Sequence, residues 1–127
     1  MIKAVEHIAV MATDAERTAQ FYQEMLGFQD AGSLEVPGAG KLVFVEFDGV
    51  KLELFSGGKA PGEPHWGSDR IGYMHLCLLV DDVIAETERL KALGVEFIAN
   101  PNDVAGLRVS FLKDPDGNVI ELFQRLS

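Results

Sequence analysis

Two histidines and two glutamates recur in this chain at matched spacing. His7 precedes Glu53 by 46 residues, and His75 precedes Glu121 by the same 46. Both glutamates stand inside apolar runs, Lys51-Leu52-Glu53-Leu54-Phe55 and Val119-Ile120-Glu121-Leu122-Phe123, where an unpaired buried carboxylate would be expensive. A divalent cation removes that cost. Two imidazoles and two carboxylates make a mixed nitrogen and oxygen donor set that suits a borderline ion such as Ni²⁺, Co²⁺, Zn²⁺, Mn²⁺ or Fe²⁺. Six-coordination would leave room for water or substrate oxygens. A lone strand histidine is more often a hydrogen-bonded core residue, and a lone strand glutamate more often faces solvent. Four in symmetric register reverse that balance and point to a metal site.

The register comes from an internal repeat. A fixed shift of 68 residues carries His7 onto His75, Asp14 onto Asp82, Asp48-Gly49 onto Asp116-Gly117 and Glu53 onto Glu121. The octets starting at Asp48 and Asp116 agree at five positions of eight. In the first copy, Val5 to Met11 alternates as a strand, and Thr13-Asp14-Ala15-Glu16 has capping-box spacing for a helix over 14–26 that stops at Gly27. Residues 41–47 and 50–55 form a hairpin about Asp48-Gly49. Residues 56–70 are rich in Gly and Pro and read as a linker or an active-site loop. The programme then restarts with a strand over 72–80 containing His75, and a helix led by Asp82 runs to Gly94. Strands follow at 95–99, 109–113 and 118–124, with a turn at Pro115-Asp116-Gly117. The expected class is α+β, with tandem βαβββ modules over about 1–57 and 71–127 joined by a linker over about 58–70. Gly57, Gly58, Gly62 and Gly67 are expected to loosen that connection.

Length and composition exclude several alternatives. A chain of 127 residues and 13.9 kDa is one domain or two very small fused units. A net charge of −9 and a pI near 4.6 repel phosphate backbones, so nucleic acid is not an expected partner. Cys77, the single cysteine, cannot form an internal disulfide, which argues for a reducing compartment. No apolar run approaches the roughly 20 residues of a membrane span, and the start shows no signal-peptide core, so a cytoplasmic location is expected. Met11 and Cys77 share strand parity with the two histidines, and Phe55 and Phe123 with the two glutamates. All four are candidate pocket wall, with core packing as the alternative. Arg108 is a candidate anchor for a substrate carboxylate or phosphate, against the plainer reading of a solvated Arg. His65 reads as a loop residue, with a lid or substrate contact as the alternative. Glu86, Glu88, Arg89 and Lys91 read as the wet face of the second helix.

The segments Glu6-His7-Ile8-Ala9, Phe21-Tyr22-Gln23-Glu24-Met25-Leu26-Gly27-Phe28, Gly72-Tyr73-Met74-His75-Leu76 and Lys113 to Leu122 carry a resemblance that covers nearly the whole chain. The sequence resembles the vicinal oxygen chelate superfamily, which includes glyoxalase I, bleomycin-resistance proteins and extradiol dioxygenases. That resemblance implies paired βαβββ modules closing a cup-shaped mixed sheet around a metal. His7, Glu53, His75 and Glu121 occupy the ligand places of the glyoxalase I pattern. It further implies a lyase or isomerase, similar to lactoylglutathione lyase, acting on a small-molecule substrate through a metal-chelated enediolate, with Glu121 as first choice for the base and Glu53 as its partner. Homodimers, some with modules exchanged between chains, are common in the superfamily.

The chain also departs from the pattern. Bacterial glyoxalase I usually places an Arg four residues after the first His and an Asn four residues after the first Glu to hold glutathione. Here those positions are Met11 and Gly57, so a smaller or differently anchored substrate is expected. Related epimerases typically carry Gln at the position of Glu53, dioxygenases use two His and one Glu, and drug-binding members lack the ligands. An epimerase, a ring-cleaving dioxygenase and a non-catalytic binding protein are therefore the alternatives.

Overall fold

The computed structural model of the protein describes residues 1–59 and 71–127. The chain divides into two compact units, Met1–Pro61 and Gly62–Ser127. Each has the order β-α-β-β-β. The first unit holds β1 (Ile8–Met11), α1 (Ala15–Leu26), β2 (Gln29–Val36), β3 (Gly40–Phe47) and β4 (Val50–Phe55), in a sheet ordered β1-β4-β3-β2. The second holds β5 (Leu76–Leu79), α2 (Val83–Ala92), β6 (Phe97–Val104), β7 (Leu107–Lys113) and β8 (Val119–Arg125), in a sheet ordered β5-β8-β7-β6. In both, the first strand pairs parallel to the last, and the other pairings are antiparallel. The tandem βαβββ architecture is the one the repeat predicted.

Local chemistry explains the boundaries. Asp14, rather than Thr13, caps α1: its side chain accepts from the backbone N–H of Glu16 and Arg17, and Gly27 ends the helix at φ 78°. Asp82 caps α2 by accepting from Ala85 N–H. The first N–H of each helix is also tied to the end of its unit's last strand, Ala15 N–H donating to Ser56 Oγ at 2.8 Å and Val83 N–H to Gln124 Oε1 at 2.9 Å. These ties are 68 residues apart, although Ser and Gln share no obvious identity. Each helix covers one face of its sheet. In the first unit Tyr22 and Ala19 lie over Val45, Leu52 and Leu54; in the second Val83 and Leu90 lie over Leu112, Ile120 and Leu122, all buried. Thr87 Oγ1 and Ser110 Oγ share a buried hydrogen bond of 2.8 Å, so that interface leaves no lone hydroxyl.

Four expectations need correction. Strand β2 is absent from the sequence reading because Gln29–Val36 does not alternate. It is a largely exposed edge strand with a register shift between Asp30 and Ser33, where Gly32 takes φ 98° and donates to Asp30 Oδ1. Strand β6 starts at Phe97 and continues to Val104, across Pro101, which an edge strand tolerates. The first strands of the two units begin at Ile8 and Leu76, so His7 and His75 each stand immediately before a strand rather than within it. Gly57 and Gly58 do not loosen the chain. Their N–H groups donate to Thr13 and Ala12 carbonyls, and a Cβ on Gly58 would lie 3.0 Å from Met11 Cγ and 3.1 Å from Ala12 O. Glycine is needed there for close approach. Gly62, His65 and Gly67 lie outside the described residues. Among those described, no helix is long and apolar enough to cross a membrane.

Candidate functional site

The face of each sheet opposite its helix carries the histidine and glutamate. In the first unit Glu53 pairs with Ala9 on β1 and with Phe44 on β3. His7 lies two residues before Ala9, so it shares the face of Glu53 on the diagonal of the parallel pair. Its Nε2 is 3.2 Å from Glu53 Oε1, and its ring meets Phe44 nearly perpendicularly, 6.1 Å between centroids. Glu6 lies 3.8 Å from the other ring nitrogen, and Lys51 Nζ is 3.2 Å from Glu6 Oε1.

The second unit repeats this construction. Glu121 pairs with Cys77 on β5 and with Phe111 on β7. His75 Nε2 is 2.9 Å from Glu121 Oε1, and its ring stands at 82° to Phe111 with centroids 5.6 Å apart. The carboxylates are largely withdrawn from solvent, with 12% of the Glu53 side chain and 15% of the Glu121 side chain exposed. Among the described residues, each has one imidazole nitrogen within ion-pair distance.

The donor chemistry of each pair fits half of a divalent-metal site. Two ligand atoms about 2.1 Å from one ion and at a right angle to each other stand about 3.0 Å apart. The two N···O separations, 3.2 and 2.9 Å, bracket that distance. Two donors do not complete a coordination shell, and among the described residues no group of three or more His, Cys, Asp or Glu is gathered as a metal cluster.

The remaining candidates divide by strand parity. Met11 and Phe55, paired on β1 and β4, share the face of Glu53; Cys77 and Phe123 share the face of Glu121. Phe123 packs against a cluster of Val109, Phe111 and Val119 on that face. Arg108 does not join them. It stands opposite Gln124, whose amide oxygen holds the start of α2, and its guanidinium donates to both oxygens of Asp103 at 2.7 and 3.0 Å. That hydrogen bond and charge raise the Arg108 pKa further and lower that of Asp103. Alternation along β7 turns residue 108 to the helix side of the sheet, while residues 107, 109 and 111 face the other way. Arg89 pairs with Glu86 on the outer surface of α2, as expected.

Phe44 and Phe111 were missed. They are 67 rather than 68 residues apart, as are Gly27 and Gly94, so a rigid shift steps past them. Counting back across each hairpin from its glutamate would have found them.

Cys77 faces Glu121 directly. The thiol keeps part of its surface in solvent, yet loss of water around the sulfur pushes it up to about 11, with the Glu121 charge and hydrogen bond adding to the rise and the Arg125 charge opposing it. Such a thiol is a hydrogen-bond donor rather than a nucleophile. In metal-free protein at neutral pH, Cys77 is expected to react with iodoacetamide at least about tenfold more slowly than a free cysteine peptide, since its greater intrinsic nucleophilicity only partly offsets the lost thiolate. Alkylation at the peptide rate would contradict this hydrogen-bonded state.

The profile of the Glyoxalase/Bleomycin resistance protein/Dioxygenase superfamily matches residues 4–122. Lactoylglutathione lyase of Pseudomonas putida is 40% identical over 60 residues, 47% of this chain and 35% of that protein. Mitochondrial methylmalonyl-CoA epimerase of Mus musculus is 30% identical over 94% of this chain and 72% of its own. The crystal structure of the fosfomycin resistance protein FosX from Listeria monocytogenes superposes with a TM-score of 0.75 at 27% identity, covering 98% of this chain and 94% of that one. A FosX mutant has been crystallised with Mn(II) and 1S,2S-dihydroxypropylphosphonic acid. With a profile spanning almost every described strand and a relative matched over most of both lengths, this chain belongs to the glyoxalase, bleomycin resistance protein and dioxygenase superfamily.

Proposed function

We propose that this protein is a divalent-metal-dependent lyase or isomerase of the lactoylglutathione lyase type, acting on a small molecule with two vicinal oxygens. The observation that carries the reading is the pair of His–Glu contacts at ligand-like spacing, built twice on the same strand register. His7, Glu53, His75 and Glu121 are the residues that would hold one ion, as neither pair alone offers enough donors. When bound, such an ion supplies positive charge that stabilises oxyanion character on the substrate. Glu121 accepts the proton released from carbon, and Glu53 serves as its partner in returning a proton. Cys77, opposite Glu121, orients the carboxylate by donating to it. Phe44 and Phe111 hold the two imidazoles edge-on and limit water on that side.

Support for the reaction type comes from the lyase and epimerase relatives and from FosX, a mutant of which was crystallised with Mn(II) and a vicinal diol, 1S,2S-dihydroxypropylphosphonic acid. Glu53 favours the lyase reading over the epimerase, which typically has Gln there. Met11 and Gly57 provide no cation or amide to hold glutathione in the usual way, so glutathione is not the expected thiol carrier. A homodimer is the proposed assembly.

The test is to strip the protein with a chelator, titrate in Mn²⁺, Ni²⁺, Co²⁺ or Zn²⁺, and assay methylglyoxal with glutathione and with other thiols in deuterated water. Saturation near one ion per chain, with metal-dependent deuterium incorporation at the reacting carbon, is the expected result. Oxygen uptake with catechols would replace the lyase by a dioxygenase. Absence of both metal uptake and turnover would leave a drug- or metabolite-binding protein.

A further inference from the structure

The face of the second sheet opposite α2 holds a cavity of about 270 Å³, walled by Val104, Leu107, Val109 and Phe111, with Asn102 and Glu121 among its polar members. All six belong to the second unit. Its far end is marked by Leu107, whose register partner on β8 is Arg125. Arg125 is four residues beyond Glu121 and therefore on the same face of the strand. Its guanidinium lies over the Phe123 ring, 5.2 Å from the centroid, so it leans back along β8 toward Glu121, and its charge reaches Cys77 beside that glutamate.

The charge balance makes this placement unusual. The chain has 20 acidic and 11 basic residues, and Arg89, Arg108, Lys41, Lys51 and Lys113 each face a carboxylate. Among the described residues Arg125 has none within 4 Å; its contact is an aromatic face. Stacking on an aromatic ring holds the guanidinium plane while leaving its N–H edge able to take a planar anion. In a protein whose net charge repels anions, a recognised anion needs such a local cation.

Resting on the metal-site reading above, we propose that Arg125 is the specificity-determining anchor for an anionic group at the far end of the substrate. The substrate class is an acid with vicinal oxygens at one end, a short apolar stem and a carboxylate or phosphonate at the other. Phe123, under the Arg125 guanidinium, is two strand steps beyond Glu121, so the anion sits about 7 Å from the reacting end. The counterpart of Arg125 in the first unit is Gly57, so the anchor exists on one half only and orients the substrate one way round.

The probes are 2-oxoadipate, its distal methyl ester, and its distal phosphonate analogue, titrated calorimetrically into the Mn²⁺-equilibrated full chain. Wild type is expected to bind the diacid about tenfold more tightly than the ester, the difference a charge-assisted hydrogen bond makes. Arg125→Gln is expected to abolish the preference, Arg125→Lys to keep part of it, and Arg108→Gln to keep all of it. The phosphonate arm separates carboxylate from phosphonate recognition. The Arg125 Nε–H resonance should move with the diacid and the phosphonate and stay with the ester. Equal binding of diacid and ester, or binding of none of the three at millimolar concentration, overturns the anchor. If Glu121→Gln removes binding of diacid and ester alike while the ester equals the diacid in wild type, the metal reading survives and the anchor fails. If Glu121→Gln leaves the affinities of diacid and ester unchanged while the diacid preference still depends on Arg125, the anchor stands and the metal reading fails.

Discussion

The Glu53→Gln, Glu121→Gln double variant is expected to lose divalent-ion affinity by at least about a hundredfold, beyond the cost of losing an outer-shell partner of a metal ligand, while the metal-free protein keeps its fold. Two opposed effects produce that split. Each glutamate is mostly shielded from water and faces one imidazole, at 3.2 or 2.9 Å. A Gln at the same place retains an oxygen and an N–H₂ for the imidazole but no charge. Neutralisation therefore removes ligand charge without leaving the histidine unpartnered, and it relieves the desolvation of a mostly buried carboxylate. Stability in urea without metal should be unchanged or slightly higher, whereas the stabilisation given by added Mn²⁺ should vanish, since a ligand stabilises only in proportion to its binding to the native state. Each single variant should show a substantial part of the loss, because in the proposed site the four side chains would share one ion and so be interdependent as ligands. If Mn²⁺ raised the midpoint of the double variant as much as that of wild type, the two carboxylates would not be ligands. If one single variant lost all response and the other none, each pair would be acting alone.

How much of this site was legible depended on how locally each part is specified. The metal candidates were readable because they sit at identical offsets from turn and cap residues, Asp14 and Asp82 at one end and Asp48-Gly49 and Asp116-Gly117 at the other. Those residues act through their own backbone, and the structure uses Asp14, Asp82 and Asp48-Gly49 as the sequence suggested, with Asp48 at φ 49° and Gly49 at φ 81°. Strand β2 was illegible because its pairing is decided by β3 and not by its own composition. Whether Arg108 would line the candidate pocket or stand as a solvated Arg was left open by the same kind of gap: whether a β7 residue faces Glu121 or the helix depends on the register across a five-residue loop, and a one-residue difference turns the side chain to the opposite face. Arg125 was overlooked for that reason. It stands at the fourth residue after Glu121, where the first copy has Gly57, so the comparison of repeats dropped it as a mismatch. Symmetry finds what the halves share; strand parity alone placed Cys77, which stands against Ala9, on the face of His75, but Arg125 against Gly57 needs the structure.

Asp114→Ala is expected to cost about 3 kcal/mol of stability and to weaken metal binding, because this one buried carboxylate sets the register that brings Glu121 opposite Phe111. The two hairpins reach the same end by different means. The first closes Phe47 on Val50 through two residues with positive φ and needs little outside help. The second closes Lys113 on Val119 around a longer loop, and Asp114 organises it from inside. Its Oδ1 accepts from the N–H of Asp116 and of Asn118, each at 2.9 Å, and its Oδ2 accepts from Asn118 Nδ2 at 2.9 Å. Its own N–H donates to the Asn118 carbonyl, and its carbonyl accepts from Gly117. At 4% exposure, the residue leaves little water to replace these contacts. Ala would strand several donors at once, and hydrogen bonds to a charged acceptor contribute about 1.5–3 kcal/mol each without adding fully. Asp114→Asn, which keeps one acceptor oxygen, should lose roughly half as much on the same grounds. Asp48→Gly, at a position already in the left-handed region, should stay within about 0.5 kcal/mol of wild type. Urea denaturation of the three metal-free variants measures this order, and Mn²⁺ titration measures its consequence at Glu121. A loss below about 1 kcal/mol in Asp114→Ala would show that strand pairing alone holds the register. A large loss of stability with unchanged Mn²⁺ affinity in the folded fraction would show that Glu121 is placed by its parallel pairing with Cys77 on β5 and not by the hairpin.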